Sequence, residues 1–129
     1  MNRRPRVLLI DDDLGLQRAM ARLAEQERID ILPAYLGAEA LPLAMAHRPD
    51  VIVLDMTLPD IEGAEVLAQL KRHPALATIP IIVWSARDYE SCRLIALAGG
   101  ADDYVDKARA IEIIDKIQSL VRTPTATAG

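Results

Sequence analysis

Cysteine is nearly absent: Cys92 is the single thiol in 129 residues. The chain can therefore form neither an internal disulfide nor a thiolate metal cluster, and a reducing compartment, the cytoplasm, is expected. Long apolar runs are missing too, whereas a membrane span needs about 18–20 such residues. The basic opening Met1-Asn2-Arg3-Arg4-Pro5-Arg6 leads only into Val7-Leu8-Leu9-Ile10 before three aspartates intervene. That run is too short for the apolar heart of a signal peptide. There is no surplus of positive charge: 15 Lys+Arg against 19 Asp+Glu leave a net −4. Such a balance offers no electrostatic footprint for nucleic acid or anionic lipid. Lysine itself is scarce, limited to Lys71, Lys107 and Lys116. What is plentiful is apolar side chain, at 51% of the residues, which argues against disorder. The length suits one domain, able to bury roughly two-thirds of its unfolded surface.

Two kinds of segment alternate along the chain. Val7-Leu8-Leu9-Ile10 and Val51-Ile52-Val53-Leu54 are apolar on both faces, as central parallel strands are, and Ile79 to Trp84 repeats the pattern. Ile29 to Ala34 is a weaker strand, and Pro33, which has no N–H for a ladder, confines it to a sheet edge. Asp102 to Val105 makes a short fifth strand. Between them, Leu16, Met20, Leu23 and Ala24 form a helical stripe, and Gly37 to Arg48 predicts a second helix bent at Pro42. Glu62 to His73 is a third helix with Val66, Leu67 and Leu70 inward. Asp88 to Ala98 is a fourth, with Asp88 as N-cap and Gly99-Gly100 as its stop. Ile111, Ile114, Ile117 and Val121 give a fifth stripe, and 123–129 read as a flexible tail or linker stub. Five strand–helix units predict a doubly wound parallel α/β sheet with right-handed crossovers. Ligands of such sheets bind beyond the carboxyl ends of the strands.

The chemistry sits at those ends. The first strand runs into Asp11-Asp12-Asp13 and the third into Asp55; Ser85 ends the fourth and Lys107 follows the fifth. Carboxylates on neighbouring strand ends raise one another's pKa and need a cation. Hard oxygen donors of this kind suit Mg²⁺, which keeps several waters and leaves room for a phosphate oxygen. With a hydroxyl and an ammonium nearby, the set describes a carboxylate that accepts a phosphoryl group. Singly, each residue has a plainer explanation: Asp13 as a helix cap, Ser85 as a turn residue, Lys107 as a surface lysine.

In this order the residues resemble the receiver domain of two-component response regulators. The resemblance is carried by Val7-Leu8-Leu9-Ile10-Asp11-Asp12-Asp13, by Pro49 to Gly63 around Asp55, by Ile81 to Arg87 around Ser85, and by Ala98 to Lys107. It covers about residues 6–122. It implies a flavodoxin-like (βα)5 fold of strand order 2-1-3-4-5, with residues 1–122 as the receiver domain. It also implies that Asp55 is the phosphoacceptor, using Mg²⁺ held by Asp12, Asp55 and the Thr57 backbone carbonyl, with Asp11 acting mainly through water. Ser85 and Lys107 then meet the phosphoryl group, and Tyr104 is the aromatic switch residue that follows Ser85. Thr57 and Arg87 flank the site and are placed to influence phosphate lifetime. The implied partners are a sensor histidine kinase or histidine phosphotransfer protein, with output through the fourth helix, fifth strand and fifth helix to an effector domain or downstream protein. Such a domain catalyses its own phosphorylation and dephosphorylation, so "enzyme" describes it only partly.

One residue departs from the family pattern. A proline reached through a cis bond usually follows the pocket lysine, but here Ala108 follows Lys107. A cis bond before a non-proline costs about 3–4 kcal/mol, so a trans peptide with a rearranged loop is expected. That departure is the best support for an alternative, a pseudo-receiver acting as a phosphorylation-independent interaction module. A third reading takes Asp11-Asp12-Asp13 as the nucleophile motif of a haloacid-dehalogenase-like phosphatase, whose members generally need a longer chain.

Overall fold

The computed structural model describes the backbone of residues 3–86, 89–109 and 111–128, with their side chains except at 89 and 122–128. Five parallel strands, β1 (Arg6–Ile10), β2 (Asp30–Ala34), β3 (Val51–Asp55), β4 (Ile81–Ser85) and β5 (Asp103–Asp106), lie in the order β2-β1-β3-β4-β5. They alternate with α1 (Leu14–Gln26), α2 (Ala40–His47), α3 (Gly63–Arg72), α4 (Tyr89–Ala98) and α5 (Glu112–Ala128). This is the doubly wound, flavodoxin-like arrangement expected, with β2 and its Pro33 on an edge.

Because successive residues of a strand point to opposite faces, the sheet divides the core in two. Leu8, Ile10, Ile52, Leu54, Val83 and Tyr104 pack with Ala40, Ala44, Val66, Leu67 and Ala96 of α2, α3 and α4. Val7, Leu9, Val51, Val53, Ile82, Trp84 and Val105 pack with Met20, Ala24, Ile113 and Ile117 of α1 and α5. Burying each such aliphatic side chain contributes about 1.5–3 kcal/mol, and β1, β3 and β4 supply the most deeply buried ones.

Several local expectations shift. Pro42 is the third residue of α2, and a 3₁₀ turn at Gly37–Glu39 precedes it. In a first turn the missing N–H has no acceptor within the helix to lose, so Pro42 removes no bond of α2. The inward face of α1 holds the expected Leu16, Met20, Leu23 and Ala24, the two leucines half-buried against the core, and adds the buried Gln17. Ile111 is 71% exposed and lies before α5, whose buried residues are Ile113, Ile114 and Ile117. Asp88, expected to cap α4, lies outside the described residues. The stop of α4 is as expected: Gly100 adopts φ +102°, Gly100 N–H donates to Leu97 O and Ala101 N–H to Ala96 O.

Gly63 opens α3 against the end of β3. Its N–H donates to Met56 O at 3.1 Å, and a Cβ there would sit 2.5 Å from Met56 Cα and 2.7 Å from Asp55 O. Backbone cannot yield as a flexible side chain does. Gly63→Ala is therefore expected to lower stability by about 1–3 kcal/mol in urea unfolding. A variant unfolding at the wild-type midpoint would show that the β3–α3 junction is looser than this.

Candidate functional site

Strand register brings the candidate residues together. Ile10 pairs with Leu54, so Asp11 and Asp55 are the next residues along adjacent strands, and Asp55 in turn aligns with Trp84 and then Val105. Residues aligned in this way share a face, here the one covered by α1 and α5. Ser85 aligns with Asp106 and shares the opposite face with Val83 and Tyr104.

Asp11 is fully buried and Asp55 is 3% exposed, whereas Asp12 faces solvent. One carboxylate oxygen from each of Asp11, Asp12 and Asp55 lies within 4.8 Å of the others. An open cleft above them is lined by Asp11, Asp12, Asp13, Asp55, Thr57, Ala86 and Lys107. The two buried carboxylates are held alike. Asp13 N–H donates to Asp11 Oδ1 at 2.9 Å, and Thr57 N–H to Asp55 Oδ1 at 3.0 Å, each an aspartate bonding the amide two residues on. Their other oxygens meet Lys107, whose Nζ is 2.7 Å from Asp11 Oδ2 and 3.2 Å from Asp55 Oδ2. That Nζ also lies 5.4 Å from the centre of the Trp84 ring, within cation–π range.

Asp13 itself caps α1, its Oδ1 accepting from Leu16 N–H, so the plainer reading of that residue holds. Thr57 lines the cleft and Ser85 is buried at the end of β4. Tyr104 is buried beside Ser85 and Cys92, and burial chiefly pushes its phenol up to about 12, keeping it a protonated donor. Lys107 occupies the cleft although the peptide leading to Ala108 is trans, as expected. Arg87, expected to flank the site, lies outside the described residues.

Two contributors escaped the sequence reading. Buried Gln17 donates its amide Nε2 to the carbonyls of Leu9 (2.9 Å), Asp11 (3.0 Å) and Ala34 (3.2 Å), tying the ends of β1 and β2 beneath the acidic cluster. Asp60 accepts from Gly37 and Ala38 N–H at 2.8 and 2.9 Å, which anchors the loop after Asp55 to the turn before α2. A glutamine beside an apolar stripe and an aspartate before Gly63 were the only signals available.

Three carboxylates against the single ammonium paired with them, among the described residues, leave negative charge uncompensated. A set of hard oxygen donors opening onto a wet cleft fits Mg²⁺, which accepts one or two carboxylates and retains water. Burial first, and then the Asp11 charge, raise the Asp55 carboxyl above its ordinary 3.8, against the opposing pull of Thr57 N–H and Lys107. For Lys107, burial works downward, yet the hydrogen bond to Asp11 and the charge of Asp55 leave it raised.

A carboxyl raised by folding stabilises the fold below its unfolded pKa, and that contribution disappears as pH climbs through the folded value. In metal-free buffer Asp55→Asn is therefore expected to raise Tm at pH 7, with the gain shrinking to nothing below about pH 3.8. Mg²⁺ at a hundredfold excess over its Kd is expected to add about 2.7 kcal/mol to the wild type and much less to the variant. Thermal unfolding across pH, with and without Mg²⁺, checks both, and a lower Tm for the metal-free variant at pH 7 contradicts the electrostatic account.

Comparison with known proteins agrees with this geometry. The family model "Response regulator receiver domain" matches residues 7–118. The transcriptional regulatory protein KdpE of Mycobacterium tuberculosis is 40% identical over 123 residues, 95% of this chain and 53% of KdpE. The response regulator MprA of Mycolicibacterium vanbaalenii is 36% identical over 125 residues, 96% of this chain and 53% of MprA. The chain thus spans about half the length of these relatives. Among solved structures, the receiver domain of the Francisella response regulator 1452 is similar with TM-score 0.82 and 32% identity, covering 90% of this chain and 95% of that one. A two-component response regulator from Clostridium difficile is similar with TM-score 0.84 and 26% identity, covering 93% and 98%. On a match running from the first strand into the last helix, the chain belongs to the receiver domains of two-component response regulators.

Proposed function

We propose that residues 1–122 act as a phosphorylation-dependent switch whose acceptor is Asp55. The observation that carries this reading is the convergence of Asp11, Asp12 and Asp55 within 4.8 Å, bridged by Lys107. In the transfer, an Asp55 carboxylate oxygen attacks the phosphorus of a phosphohistidine on a sensor kinase or histidine phosphotransfer protein. The P–N bond breaks, the imidazole leaves with the bond's electrons and takes a proton from water, and an acyl phosphate remains on Asp55. Attack of water on that phosphorus later releases inorganic phosphate and restores the carboxylate.

The chain's own residues supply orientation and charge. Lys107, already 3.2 Å from Asp55 Oδ2, meets charge that develops on the transferred group. Thr57 N–H holds Asp55 Oδ1 at 3.0 Å and so aims the other oxygen at the cleft. Asp12, Asp55 and the Thr57 carbonyl would hold Mg²⁺ directly, with Asp11 acting through water. Bound there, the ion supplies positive charge to the phosphoryl oxygens.

A new dianion biases the domain only by bonding better in one arrangement than in the other. Ser85 and Lys107 provide that difference, and Tyr104, packed inward against the α4 face, is the side chain whose position responds. The resulting change reaches α4, β5 and α5, and through them an effector domain or downstream protein. A cytoplasmic setting fits the lone Cys92 and the kinase partner. Among the described residues no helix is long and apolar enough to cross a membrane. The pseudo-receiver reading is disfavoured because the acidic set, the hydroxyl and the ammonium all survive together.

Incubation with Mg²⁺ and a small acyl phosphate is expected to add one phosphoryl group to the intact mass, mapping to the peptide containing Asp55. Asp55→Asn is expected to abolish the addition, and Lys107→Ala to slow it by about 10²-fold or more, as for loss of a charge-stabilising donor. An unmodified wild-type mass, or a label on Asp11, refutes the reading.

A further inference from the structure

The lysine of the cleft is held without the proline that its position leads one to expect. Proline fixes φ and carries no N–H. Ala108 leaves φ free and presents a donor. Left unrestrained, the turn after β5 would let a long, flexible side chain sample many positions, at a conformational cost for each visit to the acids. Instead Lys107–Arg109 forms a single 3₁₀ turn, and Ala108 N–H donates to Asp106 Oδ1 at 2.9 Å.

We infer that Asp106 is a positioning residue for Lys107, its carboxylate clasping Ala108 N–H so that the ammonium is delivered between Asp11 and Asp55. Asp106 is the last residue of β5 and is paired in register with Ser85, so its backbone is fixed by the sheet. Its side chain passes that fixity to the turn. The bond repeats the one at the other two strand ends, Asp11 to Asp13 N–H and Asp55 to Thr57 N–H. Three aspartates, at the ends of β3 and β5 and just past β1, therefore each bond the amide two residues on. At β5 this works only because residue 108 has an N–H to give.

The inference rests on the reading of Lys107 as the phosphoryl group's partner, and its test separates the two. Asp106→Val removes the acceptor while keeping a strand-forming residue; Asp106→Asn retains an acceptor oxygen and is expected to rescue. The rate of Asp55 labelling by a small acyl phosphate should fall between about twofold and tenfold in Asp106→Val, and stay near wild type in Asp106→Asn. In a Lys107→Ala background the Val substitution should add nothing, which a general structural defect would not mimic. Trp84 emission in metal-free buffer, read independently of phosphorylation, should shift in Asp106→Val toward the value of Lys107→Ala as the ammonium leaves the ring. Should Asp106→Val fail to fold, Asp106→Ala carries the same measurements. Wild-type labelling and emission in the acceptor-less variant, or a rate loss undiminished in the Lys107→Ala background, overturns the inference. If wild type itself takes no label, the acceptor reading fails, and the emission comparison alone decides whether Asp106 places Lys107.

Discussion

A buried carboxylate must find positive charge or give up its ionisation. The architecture of this domain follows from meeting that demand twice within one hydrogen-bonded pair of strands. Asp11 and Asp55 cannot move apart, because β1 and β3 hold them in register, and the sheet ends leave little of either exposed at the floor of the cleft. Lys107 answers both at once, over an indole face that suits a cation. The compensation is incomplete, and that incompleteness leaves the cleft receptive to a divalent ion. A fully neutralised pocket would make no such demand for a cation.

Rigid support surrounds this unstable charge arrangement. Gly63 lets α3 press directly on the backbone beneath Asp55, Gln17 ties the β1 and β2 carbonyls below Asp11, and Asp60 moors the loop that carries Thr57. None of these touches the cleft opening. Each restricts where the carboxylate oxygens of Asp11 and Asp55 can sit, so the cluster rests on fixed backbone rather than on mobile loop.

Much of this was legible in the sequence because the signals were local or strongly patterned. Val7 to Ile10 and Val51 to Leu54 are apolar on both faces, which marks central parallel strands, and a charged residue directly after such a run has few structural excuses. Asp11, Asp12 and Asp55 could be grouped on that ground alone. Gln17 could not, since its value depends on three carbonyls that converge only once β1 and β2 are paired. Ile114 and Ile117 are buried as expected, but Ile111, three residues earlier and so in phase with them, lies outside α5, which begins at Glu112. Pro42 misled because the 3₁₀ turn that moves it into a first turn leaves no trace in hydrophobic spacing.

The alternation of side chains along the strands has a last consequence. Asp11, Asp55 and Trp84 share the face built with α1 and α5, while Tyr104 belongs to the wall built with α4, and Ser85 reaches the strand ends from that second side. Side chains within one hydrophobic compartment touch one another across no sheet, so substitutions couple within a compartment and add between the two.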